Sequence, residues 1–87
     1  MSKKPTLEKI VAQGRKYVLG LLDDGWQLDD FYQDSHSANW SLYHIRSGKR
    51  AIVMVDLDFC TALVYPDGRN LCGCFIVNGV IKAFIEF

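Results

Sequence analysis

The chain has 87 residues, 49% of them hydrophobic and 13% aromatic, and its ten basic and ten acidic residues cancel. This length supports one domain with a single core, and the zero net charge argues against a dedicated duplex-DNA binder. The hydrophobic content is more than one small core readily hides, which indicates a partner or a homodimer. We divide the chain into a flexible lead at residues 1–5 and a single α+β domain at residues 6–87.

Cysteine usage and hydropathy favour the cytoplasm. Three cysteines are an odd number, which is typical of a reducing compartment rather than of a disulfide framework. No apolar segment follows the charged start of the chain, so we expect no secretory signal. No apolar run is long enough to cross a bilayer, and we therefore expect no membrane partner.

The first predicted element is an amphipathic helix from about Thr6 to Asp24. Apolar residues and one glycine recur at spacings of three and four along it: Leu7, Ile10, Val11, Gly14, Tyr17, Val18, Leu21 and Leu22. Pro5 or Thr6 can start the helix, and Gly25 can end it in a left-handed cap. Gly14 costs about 1 kcal/mol of helix propensity relative to Ala, so we expect the helix to approach a sheet closely there.

After Gly25 the pattern changes to strands and turns. The predicted strands are residues 26–33, 40–46, 49–59, 61–65, 70–77 and 80–87. A polar loop is expected at 34–39, and turns are expected at Ser47-Gly48, at 66–68 and at Asn78-Gly79. The predicted fold is one N-terminal amphipathic helix packed on an antiparallel, largely meander sheet of about five strands.

Cys72 and Cys74 lie one residue apart in the last predicted hairpin. With Asn78-Gly79 as a two-residue loop, one face collects uncharged side chains: Cys72, Cys74, Ile76, Ile81, Ala83, Ile85 and Phe87. We interpret this as the core face and both cysteines as small hydrophobes. The C-x-C spacing, with Cys60 far away, does not fit a zinc site, and a disulfide within C-x-C is sterically disfavoured. We therefore expect no metal and no cofactor.

Two further faces follow from the same alternation. The other face of the last hairpin is mixed: Leu71, Phe75, Val77, Val80, Lys82, Phe84 and Glu86. Such a face is either covered by a partner or shielded by its own side chains. In the hairpin before it we expect a core face made by Trp40, Leu42, His44, Ala51, Val53 and Val55, with His44 half-buried.

The first candidate surface is an acidic and aromatic segment. The predicted partner-binding residues are Trp26, Asp29, Asp30, Phe31 and Tyr32. Aromatic side chains are enriched at the centres of interfaces, and carboxylates can recognise a basic protein surface. The neighbouring acidic residues at 23–24 are explained as well by a helix end and a turn.

The second candidate surface is the basic tip, which we define as Arg46, Lys49 and Arg50. These cations bracket a predicted turn and could neutralise nucleic-acid phosphates. Charged hairpin tips are also common simply because tips are solvated. Nucleic-acid binding through the basic tip is therefore the alternative function.

Catalytic candidates are few. They are His36, His44, Cys60, the pair Asp34 with His36 as metal ligands, and the pair Asp56 with Asp58 as acid–base carboxylates. No phosphate-binding loop, metalloprotease motif or nucleophile elbow is present in the sequence. We predict that the protein is not an enzyme.

The function we predict is that of a small non-enzymatic protein-interaction module, an inhibitor or modulator of a larger cytoplasmic protein. Compact accessory proteins of phages and mobile elements, including inhibitors of host defence, are similar in size and composition. The protein partner is unidentified at this level, and a homodimer is a further expectation.

Overall fold

The computed structural model describes residues 5–58 and 71–87. Its elements are α1 (Leu7–Asp23), β1 (Trp26–Gln33), β2 (Ser37–His44), β3 (Arg50–Asp56), β4 (Leu71–Val77) and β5 (Val80–Glu86). The strands form one antiparallel sheet in chain order, and the N-terminal helix packs on it. The predicted α+β architecture is confirmed. Most of the predicted lead, Cys60, the strand predicted at 61–65 and the turn predicted at 66–68 lie outside the described residues.

Local signals set both ends of α1. The Thr6 hydroxyl accepts a hydrogen bond from the backbone N–H of Lys9 at 3.3 Å, which satisfies one free donor of the first turn. Gly25 has φ of +93° just beyond the helix, as its predicted role requires. The close approach at Gly14 is also confirmed, because a Cβ built there would lie 2.6 Å from a ring carbon of Trp40.

The core lies between α1 and one side of the sheet, which we call the covered face. The buried residues at its centre are Ile10, Val11 and Val18 of α1, Trp40 and Leu42 of β2, and Ala51, Val53 and Val55 of β3. Trp40 pairs with Val53 and Leu42 with Ala51. The core face predicted for this hairpin is confirmed.

The turns around β2 differ from the prediction. The two-residue turn at Ser47-Gly48 is wrong, because the strands end at His44 and Arg50 and leave a five-residue connection. The N–H of His44 donates to the carbonyl of Lys49 at 2.8 Å, and the N–H of Gly48 donates to the carbonyl of His44 at 2.8 Å. The loop predicted at 34–39 is shorter, because β2 already begins at Ser37.

The turn of the last hairpin is confirmed, and its predicted core face is right only in part: Cys72, Ala83, Ile85 and Phe87 pack in the core, whereas Cys74, Ile76 and Ile81 lie on the other side. Asn78 and Gly79 have φ of +50° and +79° and connect the pair Val77 and Val80. Val77 lies opposite Ala51 of β3, and Phe75 lies opposite Val53. Cross-strand partners share a face, so these two β4 side chains join the core that the sequence pattern had assigned to their neighbours.

An irregularity in β5 returns the later residues of that strand to the predicted core face. Ile76 pairs with Ile81, whereas Phe75 pairs with Ala83, so Lys82 is an extra residue between two ladder pairs. Beyond Lys82, Ala83 and Ile85 lie on the covered face, while Ile81 does not. A shift of one residue moves every later side chain to the opposite face, which the two-residue period could not foresee.

The two cysteines of β4 have different chemistry. Cys72 is fully buried and disulfide-bonded. Cys74 is a free thiol. It is 4% exposed, and burial raises the pKa of its thiol. The interpretation of both cysteines as packed side chains is confirmed by their burial, although for Cys72 it missed a covalent bond.

Candidate functional site

The side of the sheet opposite α1, which we call the open face, is crossed by two rows of side chains. In each row consecutive residues are cross-strand partners, so their Cβ atoms lie about 5 Å apart. The first row runs from β1 to β5 through Asp30, Ser41, Ile52, Ile76 and Ile81. The second row runs the same way through Tyr32, Asn39, Met54, Cys74 and Phe84. We call Ile52, Ile76 and Ile81 the isoleucine row.

Several large apolar side chains of the open face are in water. Ile52 is 41% exposed, Ile81 50%, Phe84 39% and Tyr32 58%. These residues lie on three strands, β1, β3 and β5, and belong to the two rows. Single exposed hydrophobes are ordinary, but several on one face of a small domain make that face a candidate interaction surface.

A shallow cavity of about 220 Å³ lies at the β1 end of the open face. Its walls include Tyr32, Ile52, Met54 and Ile76. Beside them, the side-chain oxygen of Asn39 is buried and has no hydrogen-bond partner. A buried acceptor without a partner costs about 1–3 kcal/mol, so this part of the sheet is not built for stability alone.

The partner-binding residues predicted on β1 fall into two groups. Trp26 is half-buried, and its ring packs edge-on against His44 at 5.1 Å and Phe75 at 5.7 Å between centroids. Trp26 therefore anchors the start of β1 to the core. Asp29, Asp30, Phe31 and Tyr32 are exposed and lie together on the outer strand of the sheet.

These four β1 residues point in different directions. The β1–β2 register shifts between Leu28 and Asp30, which leaves Asp29 as the extra residue. Phe31 pairs with Trp40 on the covered face, with ring centroids 5.3 Å apart, yet remains 41% exposed. Tyr32 lies on the open face. The end of β1 thus presents an aromatic side chain on each side of the sheet.

The basic tip lies close to acidic groups. Nη1 of Arg50 is 3.5 Å from Oδ2 of Asp29, and both side chains are largely exposed, so this ion pair is worth about 0–1 kcal/mol. Arg46 shares a cavity of about 390 Å³ with Asp23 and Asp24. The positive potential expected from the tip is therefore reduced by neighbouring carboxylates.

His44 serves a structural hydrogen-bond role. Its Nδ1 accepts from the backbone N–H of Ser47 at 3.3 Å, and its Nε2 lies 3.2 Å from the carbonyl oxygen of Asp24. Both ring nitrogens are therefore in contact with the main chain, and the ring joins the helix end to the β2–β3 turn.

Asp34 closes the β1–β2 turn. Its Oδ1 accepts from the backbone N–H groups of His36 and Ser37 at 2.8 Å each and from the Ser37 hydroxyl at 3.1 Å. The backbone hydrogen bonds from His36 and Ser37 lower the pKa of Asp34 below its ordinary value of 3.8. Within residues 5–58 and 71–87, no group of three or more His, Cys, Asp and Glu side chains is arranged to hold a metal ion.

The second carboxylate pair is also local. Asp56 ends β3, and its Oδ1 accepts a hydrogen bond from the backbone N–H of Asp58 at 2.7 Å. Residues 57 and 58 are helical, so this contact is that of a helix N-cap. It gives the Asp56 carboxylate a structural use, and acid–base chemistry by Asp56 and Asp58 stays an untested prediction.

The chain matches no known protein-family model, no curated protein and no solved structure. No helix in the described part of the chain has the length and apolar character needed to cross a membrane. Function therefore has to be argued from the surfaces themselves.

The isoleucine row is the surface that sequence reasoning missed. Its signal lies in β3, where Ile52 and Met54 alternate with the buried Ala51, Val53 and Val55. A strand whose side chains are apolar on both faces is usually covered on both faces. The sequence alone does not show which of the two faces α1 covers.

Proposed function

We propose that this protein is a small non-enzymatic protein-interaction module, an inhibitor or modulator of a larger cytoplasmic protein, and that it binds its partner at β1. The observation that carries the proposal is the grouping of exposed acidic and aromatic side chains on that strand: Asp29, Asp30, Phe31 and Tyr32. Aromatic anchors with a polar surround are typical of binding surfaces in small proteins.

The position of β1 at the border of the sheet supports a specific binding mode. β1 pairs with β2 and has no second neighbour in the described part of the sheet, so outward-facing N–H and C=O groups are available to an added strand. Asp29 and Asp30 repel a second acidic strand and attract a cationic one. The partner chemistry that fits is an extended basic segment whose flanking apolar side chains contact Phe31 and Tyr32.

Affinity capture with matched variants tests this function. The tagged protein is incubated with a bacterial lysate, half of it treated with nuclease, and bound protein and nucleic acid are both identified. We expect one stoichiometric protein that survives nuclease and is lost with the double substitution Phe31→Ala and Tyr32→Ala. Leu19→Ala is the matched control, because Leu19 is 57% exposed on α1, away from β1.

Two outcomes contradict the proposal. The first is capture by the double variant at the wild-type level while circular dichroism and thermal melting show that it is folded. The second is recovery of nucleic acid in place of a protein. In that case binding should weaken in the Arg46→Ala, Arg50→Ala variant and with salt, by about one unit of log–log slope per phosphate contact.

A further inference from the structure

The backbone of β1 carries a hydrogen bond that an added strand has to replace. Oδ1 of Asp30 accepts from the backbone N–H of Phe31 at 2.8 Å. We propose that Asp30 selects the partner of β1: its carboxylate blocks this N–H in the free protein and releases it to a strand that carries an arginine beside Asp30. The inference rests on the proposed function and deepens it, because it names the residue that decides which strand binds.

The N–H of Phe31 belongs to the outer border of β1. The N–H of Asp34 donates to the carbonyl of Ser37 at 2.9 Å, which closes the hairpin with a hydrogen-bonded pair. Along an antiparallel ladder, hydrogen-bonded pairs alternate with pairs whose N–H and C=O groups point away from each other. Phe31 and Trp40 lie three positions further along the register and are a pair of the second kind. The N–H of Phe31 therefore points away from β2, toward the position of an added strand.

An added strand and Asp30 compete for the same donor. A strand beside β1, about 4.8 Å away, bonds through the outward-facing groups of β1. A backbone N–H has one hydrogen, so a partner carbonyl that bonds to Phe31 has to displace Oδ1 of Asp30. Charged side chains at sheet borders are a usual protection against unwanted pairing. Asp30 protects the border of β1 in this way.

The charge of Asp30 explains why the partner has to be cationic. Hydrogen bonds to an ionised acceptor are stronger than those between neutral groups. A neutral strand that displaces Asp30 therefore exchanges a stronger hydrogen bond for a weaker one, and it leaves a carboxylate with only water as its partner. Within the described ranges 5–58 and 71–87, Asp29 pairs with Arg50, whereas no cation lies within ion-pair distance of Asp30. A cation supplied by the partner compensates for the loss.

The two faces of β1 give the order of residues in the partner strand. Asp30 pairs with Ser41 on the open face, whereas Phe31 lies on the covered face. Side chains alternate along a strand, so the partner residue beside Asp30 is cationic and its neighbour beside Phe31 is apolar. Tyr32 lies two residues after Asp30 on the open face. Arginine fits best there, because its planar guanidinium forms paired hydrogen bonds with a carboxylate and also stacks on an aromatic ring.

Two synthetic peptides with blocked ends test this selectivity on the purified protein. Both are as long as β1, eight residues; one alternates arginine with valine, and the other alternates glutamine with valine. In an NMR titration we expect the arginine peptide to bind about 10-fold more tightly, with the largest amide shift changes at residues 30–33. Equal affinity of the two peptides, binding by neither, or shift changes confined to another part of the sheet overturns the proposal.

The Asp30→Ala variant separates a blocked N–H from simple charge attraction. The glutamine peptide should bind this variant about 3-fold more tightly than wild type, and the preference for arginine should fall to about 2-fold or less. A carboxylate that only attracts cations would leave the affinity for the glutamine peptide unchanged. Asp23→Ala is the matched control, because it removes an exposed carboxylate at the end of α1. Unchanged binding of the glutamine peptide by folded Asp30→Ala, or the same gain in Asp23→Ala, contradicts the proposal.

The capture experiment keeps this inference apart from the proposed function. Capture by the folded Phe31→Ala, Tyr32→Ala variant at the wild-type level rejects β1 as the binding strand, and this inference with it. Loss of capture in that variant, together with equal affinities of wild type for the two peptides, keeps β1 as the binding strand and overturns only the role of Asp30.

Discussion

The two faces of the sheet are made from similar residues and have opposite roles. In β3 the adjacent residues Ile52 and Val53 are both β-branched, yet Val53 is fully buried and Ile52 is 41% exposed. The 17-residue helix is about 25 Å long and covers one side of the sheet. Hydrophobicity therefore decides that a strand is buried somewhere, and the position of the helix decides which side forms the core.

The two faces also differ in how closely their side chains pack. On the covered face, Gly14 lets the helix approach Trp40 until no space remains for a methyl group. On the open face, the side-chain oxygen of Asn39 is buried without a partner, and Ile52 and Ile81 remain exposed. The covered face is closely packed against α1, whereas the open face leaves apolar side chains in contact with water.

The largest expected effect is the difference in stability lost when a side chain is shortened on the covered face and on the open face. Leu42→Ala leaves a cavity in the packed core on the covered face and should lower the free energy of unfolding by about 3 kcal/mol. Ile52→Ala on the open face should lower it by about 1 kcal/mol or less, because Ile52 is already partly in water. Urea denaturation measures both losses. Equal losses would mean that the open face is as well packed as the core.

A smaller predicted effect tests the close contact between α1 and Trp40, because alanine at two different helix glycines should change stability in opposite directions. Gly14→Ala gains about 1 kcal/mol of helix propensity but forces a methyl group against Trp40, which costs about 1–3 kcal/mol. We expect a net destabilisation of about 1 kcal/mol. Gly20→Ala is the matched control, because nothing lies within 4 Å of its Cβ position, and it should stabilise by about 0.5–1 kcal/mol. Stabilisation by both, in thermal melts, would contradict the close approach.

The smallest expected effect concerns the turn that fixes the β1–β2 register. Hydrogen bonds from the backbone of His36 and Ser37 lower the pKa of Asp34 in the folded protein. The ionised carboxylate therefore stabilises the fold, and this stabilisation is fully present at pH values above the ordinary pKa of 3.8. This stabilisation is lost as the pH falls through the lower folded value. The difference in stability between wild type and Asp34→Ala should thus be constant near neutral pH and vanish in acid.

A carboxyl titration by NMR checks the direction of the Asp34 shift. The expected midpoint lies below 3.8. Asp34→Asn keeps a side-chain oxygen acceptor and should fall between wild type and the alanine variant, without the acid dependence. An ordinary midpoint for Asp34 would show that its turn hydrogen bonds are weak in solution.

Elements governed by neighbouring residues were predictable from sequence. The spacing of apolar residues gave α1 to within one residue at each end, and Thr6 and Gly25 mark its limits as expected. The Asn78-Gly79 turn is also as predicted. For the candidate site, the β1 strand and the exposure of Phe31 and Tyr32 followed from the same local reasoning, although Trp26 proved to be a core anchor.

Non-local features were decided by the tertiary structure. Which face of the last hairpin enters the core depends on the pairing of β4 with β3 and on the extra residue Lys82, and neither leaves a periodic signal in the sequence. The alignment of the isoleucine row across three strands likewise joins residues far apart in the chain. Composition and period determined that this chain forms a helix on a two-sided apolar sheet. The packing of α1 determined which side of the sheet is the core and which side is exposed.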